Sequence, residues 1–164
     1  MNFRKHLRLS PEIYRQNRFF FVTSVSRMRQ PLFVGENRMI ARRTLNALPD
    51  RFPGWSVDTS EIMPNHIHLI LECAEERSRF GLGDVIGTLK SLIYRELRHR
   101  SGIKETIWQR NYYERVIRDE FELYAVREYI RRNPDKERFD WNDVVRSYSE
   151  SEAGTSPAAT IDAP

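Results

Sequence analysis

The chain places two of its four histidines one residue apart, in the stretch "EIMPNHIHLILE" (61–72). On an extended strand side chains i and i+2 share a face, so His66 and His68 are neighbours while Ile67 and Leu69 point away. Two imidazoles that close hold polar nitrogens needing partners if buried, and a divalent cation satisfies both. The same spacing also arises from two surface histidines on the wet side of a hairpin. Further on, in "REYIRRNP", Tyr129 and Asn133 are four residues apart, one turn along a single helical face. Asn133 offers an amide oxygen to a hard cation, with the phenol of Tyr129 beside it. Two histidines and an oxygen ligand, with positions left open, suit Mg²⁺ or Mn²⁺ holding a phosphate. A tyrosine next to that phosphate is a candidate nucleophile, the cation polarising the phosphodiester. Without the histidines, Tyr129 reads as an aromatic that packs a helix onto a sheet.

The elements that must position these residues follow from periodicity. "RFFFVTSV" (18–25) is rich in β-branched and aromatic residues and predicts a strand. In "ENRMIARRTLNALPD" Met39, Ile40, Leu45 and Leu48 fall roughly at helical spacing, with Pro49 expected to stop the helix. "GWSVDTSEIM" (54–63) alternates as a second strand, Pro64 and Asn65 supply a tight turn, and "HIHLILE" (66–72) returns as a third. Over 81–100 Val85, Leu89, Leu92, Ile93 and Leu97 form one apolar stripe, with Asp84 near the helix start. "NYYERVIRD" (111–119) predicts a fourth strand, and a last helix runs from an Asp119 cap to the Asn133–Pro134 pair. The order β-α-β-β-α-β-α is an α+β, split βαβ arrangement with an extra C-terminal helix that carries the tyrosine. One domain is expected over 1–148, and a disordered tail over 149–164, where serine, alanine and proline replace apolar periodicity.

Composition narrows the class. A chain of 164 residues can bury a core, and no run of about 18 apolar residues predicts a membrane span. The basic N-terminus has no apolar signal region behind it, so export is not expected. Cys73 is the single cysteine, which excludes an intramolecular disulfide and a multi-cysteine zinc cage and suits a reducing cytoplasm. Net charge is +4, and over the first thirty residues seven bases face one acid, Glu12. That bias suits a polyanion, nucleic acid first, or else a solvated surface. Arginine outnumbers lysine, which favours phosphate and base contacts. Candidate DNA-binding residues are Arg4, Lys5, Arg8 and Arg15 in the N-terminal arm, Lys90 and Arg95 on the long helix, and Arg110 beside Trp108. Arginine with aromatics suits splayed single strands. Each taken singly also reads as an ordinary solvated side chain, and Trp108 as core.

"MPNHIHLIL", a long helix, "IWQRNYYERVIRDE" and "REYIRRNP" follow one another in an order that resembles the single-tyrosine HUH transposases. More narrowly, the chain is similar to the REP-associated tyrosine transposases, from about Arg15 to Pro134. The resemblance implies that His66 and His68 bind the metal and that Tyr129 is the nucleophile. Asn133 then stands in the place of the polar residue that completes the metal site. It also implies a ferredoxin-like sandwich with an antiparallel sheet, in accord with the order read above. The implied activity is cleavage of single-stranded DNA next to a hairpin, leaving a 5′-phosphotyrosine and a free 3′-hydroxyl that can be rejoined. Single-stranded DNA hairpins are the implied partners of a monomer or homodimer working near the nucleoid. After the NP pair many relatives continue with an apolar segment containing valine and glycine, whereas this chain runs "NPDKERFDWNDV". Tyr112 and Tyr113, on opposite faces of their strand, are the other tyrosines in play, and Tyr129 is preferred by its relation to Asn133.

Two other readings stay open. A non-catalytic nucleic-acid-binding module on the same scaffold has no need of His66, His68, Tyr129 and Asn133 together. A metal-dependent hydrolase without a covalent intermediate needs a carboxylate base near the histidines. Glu72 shares their strand parity but lies further along, while Asp119, Glu120 and Glu128 are unplaced by sequence.

Overall fold

The computed structural model describes residues 18–74 and 79–132. The strands are β1 (Phe19–Val25), β2 (Trp55–Ile62), β3 (His66–Cys73) and β4 (Tyr113–Ile117). The helices are α1 (Gly35–Asn46), α2 (Leu48–Arg51), α3 (Leu82–Ser101) and α4 (Glu120–Arg132), with a single 3₁₀ turn at Arg27–Arg29. The sheet order is β2-β3-β1-β4, and every neighbouring pair is antiparallel. This is the predicted split βαβ topology: β1 and β3 fill the centre, and each helical crossover skips one strand.

The strands alternate, and both faces are apolar, so the sheet must be covered twice. Phe20, Val22, Ile67, Leu69, Leu71 and Val116 point to one face, where they pack with the buried stripes of α1 and α3. Phe21, Ile70 and Ile117 point to the other and meet Leu123, Val126, Tyr129 and Ile130 of α4. Each aliphatic side chain fully removed from water there contributes roughly 1.5–3 kcal/mol. The α3 stripe forms as its spacing predicts, with Leu92 half-buried while Val85, Leu89, Ile93 and Leu97 are buried. Asp84 accepts the Gly81 amide at 2.8 Å to close the first turn, and Gly102 ends the helix at φ 66°, a conformation glycine adopts without strain.

Two expectations need correction around α1. Met39 is 62% exposed rather than part of the buried stripe, which Ile40, Ala41 and Leu45 supply. Pro49 does not stop a helix: α1 ends at Asn46, and Pro49 stands in the first turn of α2. There its missing N–H costs nothing and its fixed φ suits a helix start. The candidate tail, the 1–148 boundary, the N-terminal arm and Asn133 lie outside the described residues. Among the described residues no helix is long and apolar enough to cross a membrane.

Candidate active site on the second face of the sheet

Register builds the site. His68 is paired with Thr23 of β1 and with Glu61 of β2, and Thr23 is paired with Tyr113 of β4, so one row crosses the sheet. His66 is opposite Val25 at the end of the same strands. The predicted parity holds: both histidines face α4, are 2% and 3% exposed, and have ring centroids 4.5 Å apart. Phe21 stacks on His68 at 5.5 Å, and the Tyr129 ring meets it edge-on at 6.0 Å. Tyr129 is itself 2% exposed. His66, His68 and Tyr129, far apart in sequence, thus form one buried cluster.

Hydrogen bonds fix how the imidazoles are used. His66 Nδ1 is 2.6 Å from Asn65 Oδ1, a carbonyl oxygen that can only accept, so the proton of neutral His66 sits on Nδ1. Its Nε2 is therefore a lone pair, aimed at His68 Nε2 3.0 Å away. Thr23 Oγ1 lies 2.9 Å from His68 Nδ1, and a hydroxyl can donate or accept. With the His68 proton on Nε2, it donates to His66, and Thr23 donates to Nδ1. With the proton on Nδ1, it is donated to Thr23, and both Nε2 lone pairs converge on one point. Thr23 satisfies His68 in either form.

In the second form the two lone pairs could hold a cation between them, and the chemistry of the donors fits one. Metal-binding histidines ordinarily donate their other ring N–H to an oxygen, as Asn65 and Thr23 allow here. Burial, and then the Arg29 charge, lower the His66 pKa to about 4. Burial, and then His66, lower that of His68 to about 3. Both are neutral lone-pair donors at pH 7. No group of three His, Cys, Asp or Glu side chains suited to a metal occurs among the described residues. Glu72 is held by Arg18, whose Nε donates to it at 2.6 Å, and by Ser56. Glu61 is held by Arg38 of α1 at 2.7 Å.

The remaining candidates gather elsewhere. Lys90, Arg95 and Arg110 border two adjoining hollows of about 330 and 420 Å³ along the outer side of α3, which share Gly83, Gly87 and Ser91. Since α3 packs on the first face, these residues are across the sheet from the histidines. Lys90 is structural as well as basic: it donates to the Gln109 carbonyl at 2.8 Å and lies 5.5 Å over the Trp108 ring. Trp108 is 8% exposed core, its indole N–H donating to the Lys90 carbonyl at 2.9 Å. Arg95 keeps its side chain 67% exposed, and Arg110 is exposed. The loop they border returns to the histidine end, where Gln109 N donates to Val25 O at 2.9 Å and Arg27 N to Ile107 O at 2.7 Å.

Composition alone missed the turn at that end. Arg27, Met28 and Arg29 are exposed, and Met28 and Arg29 sit at φ 55° and 54°. Two consecutive non-glycine residues in left-handed geometry store strain, which structures commonly hold at functional sites. Thr23 and Asn65 were also missed as partners of the histidines, although strand parity pointed to the first and adjacency to the second.

Residues 18–133 match the family described as transposase IS200 like. The chain belongs to the IS200-like transposase family. Among its relatives is an uncharacterized Haemophilus influenzae protein, 28% identical over 159 residues, covering 80% of this chain and 88% of that one. A Haemophilus influenzae protein named as a REP-associated tyrosine transposase is 32% identical over 94 residues, 49% of this chain and 52% of that one. A solved REP-associated tyrosine transposase bound to a REP hairpin superposes with a TM-score of 0.58 at 20% identity, over 82% of this chain and 73% of that one. A transposase from Deinococcus radiodurans gives 0.54 at 16%, over 80% and 96%. The fold of this transposase is therefore that of its family, and the resemblance to REP-associated enzymes holds in sequence and in architecture.

Proposed function

We propose that this transposase cleaves and rejoins single-stranded DNA beside a hairpin, using Tyr129 as a covalent nucleophile. The observation that carries the reading is the cluster itself: converging His66 and His68 nitrogens 3.0 Å apart, with the Tyr129 ring 6.0 Å from His68. Its partner would be a hairpin with a flanking single strand, a reading supported by the related solved structure, which is bound to a REP hairpin. His66 and His68 would hold Mg²⁺ or Mn²⁺ with Asn133 as the oxygen ligand. Bound there, the ion supplies Lewis-acid polarisation of the phosphodiester and charge stabilisation.

The chain supplies the rest. Tyr129 gives up its phenolic proton as its oxygen forms a bond to the scissile phosphorus. The bond to the 3′-oxygen breaks, and that oxygen leaves as a hydroxyl. The 5′-phosphotyrosine keeps the phosphodiester bond energy, so reverse attack by a 3′-hydroxyl rejoins DNA without a nucleotide cofactor. Neutral histidines leave Arg29 as a cation close enough to be felt at the site. Arg27, Arg29 and Arg110 offer the strand a positive path around the sheet end to the α3 groove, while Arg4, Lys5, Arg8 and Arg15 add to the hold on phosphates.

A second reading, hairpin binding without cleavage, draws on the near-complete burial of Tyr129, at 2% exposure. A denaturing gel of the protein with labelled hairpin oligonucleotides from repeats flanking its gene separates the two. The cleavage reading expects a covalent protein–DNA band that needs Mg²⁺ or Mn²⁺ and is absent in Tyr129→Phe. Retained hairpin binding with no band in either metal would leave the binding module.

A further inference from the structure

The apolar stripe of α4 fixes its distance from the sheet, but a stripe of Leu123, Val126, Tyr129 and Ile130 can roll or slide on a smooth apolar face. Two polar contacts, one on each flank, oppose that. Glu122 meets Arg115 of β4, one edge of the sheet, at 3.2 Å. Arg127 meets Asp58 of β2, the opposite edge. The second contact is a two-point fork: Arg127 Nε donates to Asp58 Oδ2 at 2.9 Å, and Nη2 donates to Oδ1. Fork geometry restricts direction as well as distance.

Asp58 is built for this. The β2–β3 register shifts between Val57 and Thr59, so Asp58 is the extra, unpaired residue of a β-bulge. A bulge re-aims a side chain out of strict alternation, and bulges recur beside active sites for that purpose. Thr59 Oγ1 donates to Asp58 Oδ2 at 2.8 Å and so orients the carboxylate. The Arg127 side chain is 33% exposed and that of Asp58 12%. Partly exposed ion pairs add little net stability, so retention of the fold does not require this one.

We propose that the Arg127–Asp58 fork is the positioning element that sets where Tyr129 stands over the histidine pair. Arg127 is two residues from Tyr129 on the same helix and touches neither histidine nor any reacting atom, so it acts through the orientation of α4. The inference rests on the reading of Tyr129 as nucleophile.

The test is single-turnover adduct formation by the full chain on a labelled single-stranded hairpin oligonucleotide with Mn²⁺, at saturating DNA. Hairpin Kd and Tm are measured alongside. Arg127→Lys keeps the charge and stem but loses the fork, and Asp58→Asn keeps the shape but loses the charge. Both are expected to slow the adduct step about 10- to 100-fold, the scale of an ångström-level misplacement, with hairpin Kd unchanged. The exchanged pair Asp58→Arg with Arg127→Asp is expected to recover part of the rate. If Asp58→Asn does not fold, Arg127→Lys decides alone. Rates unchanged or faster in the variants, or a loss lying wholly in hairpin Kd, overturn the inference. A wild-type chain that forms no adduct overturns the nucleophile reading first, which keeps the two failures distinguishable.

Discussion

His66 and His68 are buried as neutral bases whose protonation the site resists, and this has a sign that can be checked. Their folded pKa values, about 4 and about 3, lie below the unfolded value of 6.5. Between those limits the unfolded chain binds more protons, so stability rises with pH. The contribution is fully present above about 6.5 and is lost progressively as pH falls toward the folded values. Metal-free protein is therefore expected to melt at a lower temperature at pH 5 than at pH 7.5, and a His66→Gln/His68→Gln variant to show a flatter profile. Calorimetry across that range decides it, since histidine is the side chain that normally titrates there. The strand parity of the pair was readable from the H-x-H spacing. Its internal hydrogen bond and its dependence on Thr23 were not, because they need the β1–β3 register.

At the scale of elements, α4 carries the most consequence. Asp119 caps it as the sequence predicts, its carboxylate accepting the Glu122 amide at 2.8 Å, while Glu122 accepts the Arg118 amide in return at 2.9 Å. Asp119→Ala is expected to cost about 1 kcal/mol in chemical denaturation, the usual value of an N-cap. Strand boundaries, the α3 stripe and this cap were legible because each is a local pattern. Pro49 misled because proline both ends helices and begins them, and only the chain that follows decides. The Asp58 bulge was invisible, since "GWSVDTSEIM" alternates well enough to conceal one extra residue. Arg127 was equally hidden, as an arginine on a helix flank has no partner until the sheet edge is placed.

Across the whole molecule, one sheet separates two regions. The second face holds the histidines and Tyr129 under α4, and the first face supports α3 with Arg95 and Arg110 on its outer side. Under the proposed function, a DNA strand reaching both regions would pass around the sheet end, past the strained Arg27–Arg29 turn. The family, matched over 18–133, accounts for the scaffold. The proposed chemistry rests on Tyr129 as the residue that would carry the DNA. Tyr113 shares the row of His68 and Thr23, whereas Tyr112 is buried in the first-face core. The most direct measurement is peptide mapping by mass spectrometry of the covalent complex formed with a hairpin oligonucleotide and Mn²⁺. A nucleotide 5′-phosphate linked to the peptide at Tyr129 is the predicted result, and linkage at Tyr113, or no linked tyrosine at all, would contradict it.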